Sequence, residues 1–489
     1  MEVFSTYLTS RDGGERWAPQ AVPAVGRDGD AADSEPHTMA HLPVVFVDPG
    51  RRFQVIDGFG GAFTEAAAVT WQALAPADQG QLLRDYFDPL QGHGYTFCRV
   101  HINSCDFALG NYAHADMPGD VVLHSFSIQR DRQALLPFIR AALQVAGRPV
   151  RLLASPWSPP AWMKDNGQMN HGGHLLPQYA AAWAQCYVRF IQAYADEGVP
   201  IWGVSVQNEP EATQRWDSCT YTAAQERDFV RDHLGPALHA AGLGHVRIVV
   251  WDHNRDRLVE RAATVYNDAA AARYVWGAGF HWYGEDCFEQ VQLLHDAWPD
   301  KQLLFTEGCQ EGGPHHGSWA LGERYAHNII NDLNRWTVGW IDWNLLLDAS
   351  GGPNHVGNFC SAPVLADFEV DTNANANANA AGPGGSALRH QSSFFYLGHF
   401  ARFLRPGAQR VLCASGRHSL EATAFVNPDN SLVTVVLNRS DAAIRCVLRC
   451  GVGAGEGERE REREGGDTRQ AVLTLPPHAI ITCVLPATA

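Results

Sequence analysis

From Phe53 onward, runs of consecutive apolar residues alternate with longer stretches in which apolar residues recur at every third or fourth position. These are the patterns of a buried strand and an amphipathic helix. The runs are FQVIDGFG at 53–60, YTFCRVHI at 95–102, VRLLASP at 150–156, IWGVSVQ at 201–207, VRIVVWD at 246–252, GAGFHWY at 277–283, QLLFTE at 302–307 and TVGWIDWN at 337–344. Helical periodicity fills the intervals, as in DRQALLPFIRAALQVAG at 131–147 and LPQYAAAWAQCYVRFIQAYADEG at 176–198. Strand and helix taking turns predict a parallel sheet. Eight such units predict an α/β chain built on a (β/α)8 TIM barrel, whose active site would lie at the carboxyl ends of the strands.

The texture changes after the eighth unit. FFYLGHFARFL at 394–404 reads as the final barrel helix, and beyond Gln409 short alternating runs follow one another: SLVTVVLNRS, RCVLRC, AVLTLPP and AIITCVLP. They predict a smaller antiparallel β-sandwich. EVFSTYLT and PVVFVDP near the amino terminus have no place in an eight-unit barrel and are expected to join it. The expected division is 1–50 for the amino-terminal strands, 51–405 for the barrel and 406–489 for the sandwich. Two low-complexity inserts, NANANANAAGPGG at 373–385 and GEGEREREREGG at 455–466, are too poor in apolar residues to order themselves. They read as surface loops, and the first, following strand eight, would border the mouth of the active site.

Composition narrows the function. A length of 489 residues with 45% hydrophobic and 18% charged residues is enough for one large domain and a smaller one. A net charge of −16 argues against nucleic acid and against an anionic membrane surface. No apolar run reaches the roughly 18 residues of a spanning helix. The start, MEVFSTYLTSRDGGERW, has no basic region followed by an apolar core, so no secretory signal is expected. Eleven scattered cysteines read as reduced, mostly buried thiols, and Cys446 and Cys450 alone make a poor zinc motif. Together these features favour an intracellular, reducing location.

Two of these stretches, read as strands, end in an acid at their last position. IWGVSVQNEP places Glu209 after alternating valines and before a proline, which cannot extend a ladder; KQLLFTEG ends in Glu307 followed by a glycine. The two lie about three strand-plus-helix units apart. Paired carboxylates at one rim are the apparatus of glycoside cleavage, one protonating the leaving oxygen and the other attacking or activating water. Other strand ends offer Arg99, Asn103 and Asp106; Trp157 and Trp162; His281, Trp282 and Tyr283; and Asp342, Trp343 and Asn344. Indoles beside carboxylates and amides suit a sugar, which has apolar C–H faces and a rim of hydroxyls.

Competing readings exist for several of these. Arg99 could be a structural ion pair in the barrel mouth, and Trp162 and Trp202 fit packing better than sugar stacking. Glu211 and Glu311, spaced much like Glu209 and Glu307, fall on turns and read as loop charges. HGGH at 171–174 and HH at 315–316 lack carboxylates at ligand spacing, so neither a metal nor any other cofactor is expected. Cys309 reads as a small buried neighbour of Glu307.

GFGGAFTEA, RVHINSCDF, LLASPWSPPAWMK, VQNEP, HWY, FTEGC, DWNLLLD and GGPNHVGNFC, in this order, resemble glycoside hydrolase family 30, in the branch of the glucosylceramidases and bacterial β-glucosidases. The resemblance implies a retaining mechanism with Glu209 as general acid/base and Glu307 as nucleophile. It implies Arg99 near the nucleophile, Asn208 on the sugar 2-OH, and Asp106 and Trp157 on the hydroxyls distal to the bond. Trp343 and Asn358 would complete the glycone pocket, and His281 and Tyr283 would orient the carboxylates. The two acids then need separated pKa values, Glu307 ionised and Glu209 protonated. The expected substrate is a small-molecule or lipid-linked β-glucoside such as glucosylceramide, with a β-xylosidase or exo-β-glucanase as the alternative. A sugar-binding barrel without activity is disfavoured because both carboxylates are present.

Overall fold

A computed structural model describes residues 3–23, 41–369, 386–451 and 469–487. The inserts at 373–385 and 455–466 lie outside the described residues. By contacts the chain divides into two compact units, one of Met1–Gly58, Ser318–Val338 and Ser392–Ala489, the other of Phe59–Gly317 and Gly339–Gln391. Strands are numbered here along the chain.

The first unit opens with β1 (Val3–Ser10), β2 (Ala18–Pro23) and β3 (Val44–Val55). The barrel follows: β4 (Gly58–Phe63), β5 (Phe97–Ile102), β6 (Arg151–Pro156), β7 (Gly203–Ser205), β8 (Arg247–Asn254), β9 (Val275–His281), β10 (Gln302–Glu307) and β11 (Thr337–Asn344). It closes in sequence order, and the pairings from β4 to β10 are parallel. Strands of such a barrel are covered on both faces, so their sequences are nearly continuous apolar runs. Phe97, Leu153, Val249, Leu304 and Ile341, one from each of five strands, meet in the interior, with Trp202 and Trp276 packed against them. Burying each large side chain contributes about 1.5–3 kcal/mol. Trp202 is thus a packing residue, stacked edge-on against Phe97 and Trp276.

The interhelical punctuation is local chemistry. Thr64 caps the helix Glu65–Ala73, its hydroxyl accepting from Ala67 N at 3.1 Å. Thr222 and Gln225 form a reciprocal capping box at the start of Ala223–Phe229, satisfying two backbone donors that would otherwise be orphaned. A small three-stranded sheet, β12 (Leu347–Asp348), β13 (Val364–Ala366) and β14 (Leu388–His390), lies in the loop region after β11 and has no clear apolar run in the sequence.

In the first unit, β15 (Gln409–Ser415), β16 (Leu420–Val426), β17 (Leu432–Asn438), β18 (Ile444–Cys450), β19 (Arg469–Leu475) and β20 (Ala479–Leu485) join β1 to β3 in one nine-stranded sheet. Its order is β19-β18-β3-β15-β16-β17-β20-β1-β2, antiparallel throughout except where β3 runs parallel to β18. The sheet curls until β19 contacts β2, which makes it a sandwich around one core of inward residues such as Phe4, Leu8, Val45, Val47, Val436 and Ile481.

Two sequence expectations shift. The run 53–60 is two strands: Phe53–Val55 finishes β3, where Val55 pairs with Gln409, and the barrel begins at Gly58. The helix Ser392–Ala401, expected as the last of the barrel, contacts β1, β20 and the helix Trp319–Leu333, and it groups with the sheet. Its buried His399 bonds both Thr9 and Thr482 through their hydroxyls at 2.8 Å. The division by contacts therefore falls elsewhere than at residues 50 and 405.

Candidate active site

Glu307 is the last residue of β10, as its sequence context predicts. Glu209 differs. Strand β7 stops at Ser205, and Glu209 stands four residues beyond it on a bend, with φ at 47°. Hydrogen bonds to neighbouring strand ends fix that bend: Val206 N to Val249 O at 3.1 Å, Asn208 N to Pro156 O at 2.9 Å and Glu209 N to Asp252 O at 3.0 Å. Trp251 and Asp252 also have positive φ, at 71° and 54°, where the β8–β9 register slips between Trp251 and His253. A bulge of this kind re-aims side chains. Here it turns Asp252 into the barrel and lets His253 face the cavity.

Arg99, fully buried, organises the charges. Its Nη1 donates to Glu307 Oε2 at 2.6 Å, its Nη2 to Asp252 Oδ2 at 2.8 Å and to Asn208 Oδ1 at 2.9 Å, and its Nε to Ser155 Oγ at 3.0 Å. Tyr283 OH donates to the other oxygen of Glu307 at 2.9 Å. Asp252 accepts from Thr306 Oγ1 at 2.6 Å and pairs with His281 Nε2 at 3.1 Å, while His281 Nδ1 lies 3.3 Å from Glu209 Oε1. A continuous chain of contacts thus joins Glu307 to Glu209 through Arg99, Asp252 and His281.

Both carboxylates line one cavity of about 230 Å³ with Asp106, Trp157, Asn208, Tyr283, Trp343 and Asn358. That is below the roughly 300–1,000 Å³ of pockets for drug-sized ligands and suits one sugar ring. Trp157 and Trp343 stack with centroids 5.1 Å apart, and the Arg99 guanidinium lies 4.8 Å from the Trp157 ring centre. Asn358 Nδ2 donates to Asp106 Oδ2 at 2.9 Å. Gly308 is needed for close packing, since a Cβ there would meet Phe305 Cζ at 2.7 Å and Trp282 Cε2 at 2.8 Å.

Burial pushes the Glu307 carboxyl up, against the pull of His281 and Arg99. Burial acts on Glu209 too, yet His253 and His281 face it and bring it below the usual carboxylate range. His281 rises to about 9 although burial opposes its charge, because Glu307, Asp252 and Glu209 surround it. The shifts of Glu307 and Glu209 thus run opposite to those expected from sequence, and the surrounding carboxylates favour the protonated form of His281, one hydrogen bond from Glu209. An imidazolium between two carboxylates is the arrangement their charges favour. Asp252 is held well below the usual range: burial raises it, but Arg99 and His281 outweigh that. Asp106 is pushed by burial up to about 8, in spite of the Asn358 amide.

Every residue assigned from sequence to the site or its support is drawn together here, Arg99 and His281 behind the cavity wall and the others on it. Asn103 instead secures a loop, bonding Ser158 O at 3.0 Å and His114 N at 2.9 Å. Asn344 accepts from Thr64 Oγ1, and Trp162 donates to Ala115 O. Glu211 is a loop charge paired with Arg257 and Arg261, whereas Glu311, expected to be another, lines the cavity. Sequence reasoning missed Asp252, His253, Asn254, Gln214, Trp216 and Cys360. Asp252 and His253 sit in a run that reads as plain strand, and only the bulge reveals them. Among the described residues, the histidines that cluster with a carboxylate as metal ligands would are His253 and His281, with Glu209, not those of HGGH or HH.

Known proteins share this architecture. Residues 56–404 match the glycosyl hydrolase family 30 TIM-barrel domain, and residues 407–483 match the glycosyl hydrolase family 30 beta sandwich domain. The chain is 38% identical over 413 residues to lysosomal acid glucosylceramidase of Mus musculus, covering 81% of this chain and 77% of that protein. It is 35% identical over 416 residues to putative glucosylceramidase 4 of Caenorhabditis elegans, again covering 81% and 77%. Among solved structures it is similar to SrfJ from Salmonella typhimurium, with a TM-score of 0.87 and 36% identity, covering 99% of this chain and 100% of that one. A matched barrel, a matched sandwich and glucosylceramidase relatives together establish that the chain is a glycoside hydrolase belonging to family 30.

Proposed function

We propose that the chain is a retaining β-glycosidase that removes β-glucosyl groups from glucosylceramide or a related β-glucoside by double displacement. The observation that carries this reading is the unequal setting of two carboxylates in one cavity. Both oxygens of Glu307 are gripped, by Arg99 and Tyr283, while Glu209 faces the imidazoles of His281 and His253.

The reaction follows from that asymmetry. The sugar ring enters against Trp157 and Trp343, with Asp106 and Asn358 on its distal hydroxyls and Asn208 on its 2-OH. Glu307, oriented by its two donors, attacks the anomeric carbon, and its developing ester bond replaces the bond to the leaving oxygen. Glu209 supplies the proton to that oxygen, having received it from His281 across their hydrogen bond. Water then enters, Glu209 takes its proton as base, and the glycosyl ester to Glu307 breaks. Retention follows from two inversions.

The test is a hydrolysis panel of an aryl β-glucoside, an aryl β-xyloside and glucosylceramide, with the first-formed anomer read by NMR. The expected result is β-glucose released first, from the two glucosides in preference to the xyloside. An α-anomer formed first overturns the retaining mechanism, and preference for the xyloside overturns the assigned glycone.

A further inference from the structure

We propose that Glu209, His253 and His281 form a binding site for a divalent cation of borderline softness, zinc foremost, and that the cation blocks the enzyme. One donor atom from each lies within 4.8 Å of the others. Glu209 Oε1 is 3.3 Å from His281 Nδ1 and 3.7 Å from His253 Nδ1. A tetrahedral zinc ion with bonds of about 2.0–2.2 Å separates its ligands by roughly 3.3–3.6 Å. The Glu209–His281 separation already matches and the Glu209–His253 separation is slightly long, so binding draws the His253 ring inward.

Two further features point to a ligand. His253 Nδ1 is buried without a hydrogen-bond partner, so a donor set of the right chemistry has one arm uncommitted. His281 is braced from behind, its Nε2 3.1 Å from Asp252 Oδ1 and Asp252 fixed in turn by Arg99 and Thr306. A carboxylate behind a histidine orients the other ring nitrogen towards a metal. Two imidazoles and one carboxylate favour zinc, cobalt or copper over magnesium or calcium. The fourth position opens on the cavity, where Glu209 and His253 both stand.

A cation there uses the oxygen of Glu209 that faces His281, and displaces the proton between them to solvent. The binding claim stands without the proposed reaction; the inhibition claim rests on Glu209 acting in it. The full chain is titrated with Co²⁺ and followed by visible absorption, and with Zn²⁺ by calorimetry, with Mg²⁺ as control, alongside aryl β-glucosidase assays and reversal by EDTA. The expected result is one site with a d–d band of nitrogen and oxygen ligation, weakened at least about tenfold in both His253→Phe and His253→Gln. Circular dichroism checks that each variant is folded. A thiolate-to-cobalt band assigns the ion to Cys309 and Cys360, which share the cavity, and overturns the proposal, as do undiminished binding in folded His253 variants or no binding at all. Binding with nitrogen and oxygen ligation but undisturbed hydrolysis retains the site and instead overturns the role given to Glu209.

Discussion

Arg99 Nη1 lies 2.6 Å from Glu307 Oε2 with both side chains out of water, and the same guanidinium neutralises Asp252. Removing it strands two buried carboxylates. Arg99→Met is expected to destabilise the protein by about 3–5 kcal/mol. Arg99→Lys restores the charge but not the planar fork, and should recover only part of the loss. Unfolding followed by calorimetry checks both, and an unchanged transition in Arg99→Met contradicts the account of the network.

The two acids should fail in different ways. Glu307→Gln has no oxygen able to form the glycosyl ester and is expected to lose nearly all turnover of every β-glucoside. Glu209→Gln should lose about 10²- to 10⁴-fold on substrates whose leaving group needs a proton. The loss should shrink for an activated aryl leaving group. Normal hydrolysis by Glu307→Gln, measured at active-site-normalised concentration, rejects it as the nucleophile.

Asp106 sets a pH dependence. Burial raises its pKa to about 8 from the ordinary carboxylate value of 3.8, so its contribution is complete below about pH 4 and is lost as pH rises through 8. Asp106→Asn carries no charge to bury. The variant should gain stability relative to the parent most at pH 8 and above, while its KM for the aryl β-glucoside rises. Urea midpoints from pH 4 to 9 test this; equal slopes for the two proteins count against it.

His399, in the sheet's unit, works in the opposite direction. Burial holds it down at about 3 while an unfolded histidine titrates near 6.5, so its stabilisation is present above about pH 6.5 and disappears as pH falls towards 3. His399→Gln keeps the size and hydrogen-bonding capacity between Thr9 and Thr482 without the titration. Its unfolding midpoint should fall less steeply with acid than that of the parent. Parallel acid curves would show that another group governs that range.

The barrel is legible in the sequence because strands buried on both faces leave unbroken apolar runs, as in RLLASP and QLLFTE. Glu307 is legible for the same reason, since its run stops where it stands. Boundaries are less so: Phe53–Val55 and Gly58–Phe63 form one run in the sequence but serve two sheets. Asp252 and His253 illustrate what periodicity cannot carry. Their placement depends on a register slip and two left-handed residues, and nothing in VVWDHN marks where a strand gains an extra residue. The upward shift of His281 is likewise a property of three-dimensional crowding by carboxylates, invisible until their distances are known.

Strand β1 is hydrogen-bonded along β20, with Ser5 opposite Val484. Its other edge is taken by β2, with Ser5 opposite Ala21, so β1 has one neighbour close in sequence and one in a distant part of the chain. Until β20 docks, the edge of β1 that it covers is open to pairing with a foreign strand, with Phe4 and Leu8 still without their core. Joining β1 to β20 is therefore a long-range step, slow beside closure of the local β1–β2 hairpin.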